Sequence, residues 1–107
     1  MHPITKVALL DLSMAVNDKA GLANSSDRSM AIHTFMLLRE DGIPFDPGEI
    51  RAWLISEREC ESEHADQFKN VAEGVLMGKN FRNWQPMWKP NILEDWKERV
   101  RGKLNQG

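Results

Sequence analysis

Apolar residues recur along this chain at intervals of three and four, and alternation of period two is never sustained. That pattern predicts helices and no sheet. Ile4, Val7, Ala8, Leu12 and Ala15 line one face of a first helix, expected over 3–18, with Pro3 in the first turn where its missing N–H is not needed. The segment NDKAGLANSSD breaks the period with Gly, Asn and Ser. A second helix is expected from Ser26 or Asp27 to Gly42. Ser25 and Ser26 are read as its caps, and Met30, Ile32, Phe35, Met36, Leu37 and Leu38 form a wide apolar face that places it centrally. Gly42 offers a left-handed C-cap and Pro44 a stop.

DPGE at 46–49 reads as a helix start, with Asp46 as cap, Pro47 in the first turn and Glu49 reaching back as in a capping box. The third helix carries Ile50, Trp53 and Leu54, and either ends near Glu59 or runs on into the next. The fourth, over 62–77, has the stripe Phe68, Val71, Ala72, Val75 and Leu76, with Gly78 as C-cap. The last starts at Asn91 with the capping pattern N-I-L-E, and spaces Leu93, Trp96, Val100 and Leu104 by three, four and four. The expected fold is all-α: a single compact domain over 1–107, of about five helices in an orthogonal or bundle-like arrangement.

Composition changes this picture little. A chain of 107 residues that is 41% apolar and 28% charged is an ordinary soluble domain. Its net charge of −2 gives no bulk attraction to nucleic acid or anionic lipid. The charge is segregated, however. Residues 39–73 hold four basic and ten acidic side chains, whereas residues 81–107 hold six basic and three acidic. Cys60 is the one cysteine, which excludes an internal disulfide and fits a reducing compartment. No secretory signal or bilayer-spanning run is visible, so the expected location is the cytoplasm.

Candidate chemistry is sparse. Glu57, Cys60, Glu61 and His64 fall at i, i+3, i+4 and i+7, one face of a continuous helix, and would be the place for a metal or a Cys–His nucleophile. The surrounding glutamates raise a thiol pKa, the wrong direction for an attacking thiolate. No zinc pair, phosphate loop or nucleophile elbow is present, so no cofactor is expected and the chain reads as a non-enzyme. The basic last helix, with Arg82, Lys89, Lys97, Arg99, Arg101 and Lys103 near Trp84 and Trp88, offers an alternative reading as a weak nucleic-acid binder.

The stretch FRNWQPMWKP, 81–90, is unlike the rest. Pro86 and Pro90 make it a stiff connector. Two readings stay open. Its aromatics fold back as a lid over the helices, with Trp53 and Trp96 beneath. Alternatively Arg82, Trp84, Met87, Trp88 and Lys89 form an interaction surface, aromatic at its centre and cationic at its rim, for a protein partner or a second copy of this chain. At DGIPFDPGEIRAWL and this Trp-Pro tail the chain resembles the small all-helical proteins of enterobacteria typified by YoaC. The resemblance implies a compact, cytoplasmic bacterial protein and carries over no site residues.

Overall fold

The computed structural model describes residues 1–79 and 88–106, with side chains as far as Gly102. Five α-helices, and no strand, occur among them: α1 (Pro3–Ala15), α2 (Ser25–Glu40), α3 (Pro47–Arg58), α4 (Ser62–Leu76) and α5 (Ile92–Gln106). A single 3₁₀ turn, Asp18–Ala20, lies between α1 and α2. The expected all-α class is therefore observed. The radius of gyration, 13.2 Å, is that of a compact domain of about 100 residues.

The first three helices begin where a side chain, joined in α1 and α3 by a proline, answers their free N–H groups, whereas α4 starts after Glu61 without a side-chain cap. His2 Nδ1 accepts from the Ile4 N–H at 3.1 Å, with Pro3 at the first position of α1. Asp46 Oδ1 accepts from the Gly48 N–H at 2.8 Å, with Pro47 first in α3. The Glu49 carboxylate does not complete a capping box. It lies 3.4 Å from the Met1 amino nitrogen. For α2 the cap is Asn24, whose Oδ1 accepts from the Asp27 N–H at 2.8 Å, so Ser25 and Ser26 are its first helical residues and not its caps.

Helix ends show the complementary device. Gly42 takes φ +73, and the Ile43 N–H turns back to the Leu38 carbonyl at 2.9 Å while the Ile43 side chain is buried. Gly78 and Lys79 repeat the motif after α4, where Arg39 Nη1 adds a bond from α2 to the Val75 carbonyl at 2.8 Å. α1 stops at Ala15, three residues before the expected Asp18. Asp18 is drawn instead into the protein, where its carboxylate meets Arg58 Nε at 2.8 Å and is almost fully buried.

α3 and α4 are separate helices. Glu59 takes φ +58, a left-handed conformation uncommon outside glycine and asparagine, and the Cys60 N–H closes on the Leu54 carbonyl at 3.1 Å. The reversal lets α3 lie along α4, joined by Arg51 Nε to Asp66 Oδ1 at 2.6 Å. α4 also packs on α2, α2 on α1, and α1 on α5. Thr5 Oγ1 donates to the Pro44 carbonyl at 2.8 Å and ties α1 to the α2–α3 loop.

One core runs through all five helices, with Leu9, Leu12, Phe35, Leu38, Ile50, Leu54, Phe68, Val75 and Trp96 fully buried. Two stripe assignments need correction. Ala15 is exposed, and Leu9 takes the buried place, because α1 is covered on two sides by α2 and α5. Leu76, the expected end of the α4 stripe, is 48% exposed.

The strained turn at Glu59 gives a test. Glu59→Gly removes the penalty of a Cβ in left-handed backbone and adds the entropy cost of glycine in the unfolded chain. A urea melt should show a change between zero and a gain of about 1 kcal/mol. A loss of more than about 1 kcal/mol would show that the Glu59 side chain itself holds the turn.

Candidate interaction surface

Of the five residues expected to form an interaction surface, Trp88 and Lys89 are described, while Arg82, Trp84 and Met87 lie outside the described residues. Trp88 is half-buried and tethered by both ends. Its indole N–H donates to Thr34 Oγ1 at 2.7 Å, and the Thr34 hydroxyl donates onward to the Met30 carbonyl at 2.8 Å. Its backbone N–H points to His33 Nδ1 at 3.4 Å. Burial pushes the His33 pKa down, partly offset by the Glu40 charge, which favours the neutral imidazole that can accept that bond.

Trp88 also stands edge-on to Trp96, with ring centroids 6.0 Å apart and planes at 81°. Trp96 is fully buried, and its indole N–H donates to Asp11 Oδ2 at 2.9 Å. The Arg99 guanidinium grips both oxygens of the same carboxylate, which raises the Arg99 pKa further. Asp11, which interrupts the apolar run of α1, is thus the acceptor on which α5 docks. Trp53, placed beneath the lid in the sequence reading, is half-buried on α3, and its indole nitrogen is buried without a hydrogen-bond partner among the described residues.

Lys89 is exposed beside Trp88. On the other side of the 81–90 stretch, α4 ends in two exposed apolar side chains, Leu76 and Met77 (76% exposed), followed by exposed Lys79. Periodicity alone put Leu76 in the core. The signal against it was Gly78, which ends α4 directly after Met77 and so places Leu76 in the last turn.

The other candidate groupings come apart. Glu57 is on α3, Cys60 and Glu61 are in the link, and His64 is on α4, so the four do not share a helix face. The break at Glu59 is the cause. Cys60 is 4% exposed and its Sγ–H points to the Asp18 carbonyl at 3.5 Å. Burial and the nearby Asp18 charge push the thiol pKa up, against the partial help of Arg58. Among the described residues no group of three or more His, Cys, Asp or Glu side chains is placed to hold a metal ion. On α5, Lys97 pairs with Asp41 at 2.9 Å and Glu94 at 3.4 Å, Arg99 with Asp11 and with Asp95 at 3.3 Å, and Arg101 with Glu98. None of the helices among the described residues is long and apolar enough to cross a membrane.

Residues 1–97 match the family model described as Domain of unknown function (DUF1889). The chain belongs to this family. The DUF1889 match takes in the whole aromatic stretch and Trp96, and ends before Arg99, Arg101 and Lys103. Neither a curated protein nor a solved structure matches the chain.

The Trp96–Asp11 junction is testable. Asp11→Ala leaves a buried indole N–H without an acceptor and should cost about 1–3 kcal/mol in a urea melt, while Asp11→Asn, which keeps an acceptor oxygen, should cost less. An alanine cost within about 0.5 kcal/mol would show that the junction is not a stabilising one.

Proposed function

We propose that this chain is a small, cytoplasmic, non-enzymatic bacterial module of the YoaC type that works by binding another protein through the end of α4 and the 81–90 stretch. The observation that carries this reading is the pair of exposed apolar side chains, Leu76 and Met77, running directly into that stretch, with exposed Lys79 and Lys89 on either side. Apolar side chains inside a cationic rim suit a partner surface that is apolar at its centre and acidic around it. The acidic 39–73 segment of a second copy has the required charge. In this reading Trp84 and Met87 insert into the partner, Arg82 and Lys89 select its charge, and Trp88 anchors the stretch to α2 and α5.

The alternatives have less support. A weak nucleic-acid binder needs free cations, yet Lys97, Arg99 and Arg101 are each paired with carboxylates of the same chain. A nucleophile or metal site at Cys60 and His64 needs an accessible thiolate, and the thiol is buried with a raised pKa.

Sedimentation equilibrium over a range of concentrations tests the self-binding form. At low salt the mass should rise with concentration. The rise should shrink in high salt, which screens exposed charge, and disappear in a Met77→Ser/Trp84→Ser/Met87→Ser variant. A mass independent of concentration would exclude the second copy as partner. A rise that the triple variant leaves unchanged would exclude this surface.

A further inference from the structure

A cleft of about 390 Å³ lies between α2 and α4, away from Trp88 and its tethers. Leu22 and the buried Val71 give it apolar wall, and Arg28, Gln67, Asn70 and Lys79 give it polar wall. No carboxylate lines it among the described residues, although the chain carries 16 acidic side chains and Gln67, Asn70 and Val71 belong to the strongly acidic segment 39–73. Arg28 and Lys79 make no ion pair among the described residues. Arg51, Arg58, Lys97 and Arg99, by contrast, each sit on a carboxylate.

The placement of Arg28 has no explanation in helix stability. It lies at the fourth residue of α2, where a cation opposes the positive end of the helix dipole. The wall beside it is fixed. The Leu22 N–H donates to Gln67 Oε1 at 2.6 Å, so the Gln67 oxygen is used and its NH₂ group remains as a donor. That bond requires the chain to pass very close. A Cβ on Gly21 would stand 2.5 Å from Gln67 Oε1 and push that side chain off the bond, and the φ of +74 itself favours glycine here.

We infer that this cleft is a binding site for a small organic oxyanion, a phosphate ester or carboxylate with an apolar body. Arg28 and Lys79 take the charged group, the Gln67 and Asn70 amides add hydrogen bonds, and Leu22 and Val71 pack on the carbon skeleton. Guanidinium supplies a planar fork for either oxyanion, and ammonium a mobile point charge.

The test is an NMR titration of the ¹⁵N-labelled chain with phenyl phosphate and with benzoate, using inorganic phosphate as the ligand that lacks an apolar body. Saturable shifts centred on the amides of Leu22, Gln67, Asn70 and Val71, with affinity on the order of millimolar or better, are expected for at least one aromatic probe. Inorganic phosphate should bind more weakly. In an Arg28→Gln/Lys79→Gln variant the affinity should fall by about tenfold or more. Both side chains are exposed, so this variant should keep the wild-type far-UV circular dichroism. The stronger of the two aromatic probes names the oxyanion class. Absence of saturable shifts at the cleft, or the same affinity in the variant, would overturn the site.

Discussion

The structure depends most on one buried tryptophan and the carboxylate that receives it. Trp96 is the largest fully buried side chain among the described residues, and burying its indole N–H without an acceptor would cost about 1–3 kcal/mol. Asp11 supplies that acceptor from the middle of α1, 85 residues away in the chain. The same carboxylate is held by Arg99, so its charge is answered on α5 as well. An apolar pair would hold α5 against α1 at any rotation. The bond from Trp96 to Asp11 selects one rotation, and with it the face of α5 on which Trp88 can rest.

From that junction the rest of the C-terminal arrangement follows. Trp88 stacks edge-on against Trp96 and reaches Thr34 on α2, so the aromatic stretch leaves its last tryptophan fastened to two helices. The opposite charges of segments 39–73 and 81–107 meet at Asp41 and Lys97, while Glu94, Asp95 and Glu98 answer the remaining described cations of α5 locally. Such exposed pairs contribute little stability each. Their larger consequence is to pair Lys97, Arg99 and Arg101, whereas among the described residues Arg28 and Lys79 stay unmatched at the cleft between α2 and α4.

What the sequence revealed of this fold is local chemistry. Asp46 and Pro47 start α3, Gly42 and Gly78 end α2 and α4, and all of them act within a few residues of themselves. The features it hid depend on distant partners. The break after α3 falls on a glutamate, with no glycine to mark it, and the residues on either side of it, Arg58 and Cys60, both bond to the distant Asp18. Leu9 is buried and Ala15 exposed because two neighbouring helices, not one, cover α1. The inward hold on Trp88 comes from Thr34, 54 residues earlier, and the cleft from side chains on separate helices, neither of which periodicity can express.

Native-state hydrogen exchange of the two indole N–H groups is the most direct measure of this account. The Trp96 indole, bound to Asp11 inside the core, should exchange only through opening events close in free energy to global unfolding, and the Trp88 indole should be protected with it. Exchange of the Trp96 indole at the rate of an exposed indole would contradict the account: α5 would then not be fastened to α1, and Trp88 would have no anchor.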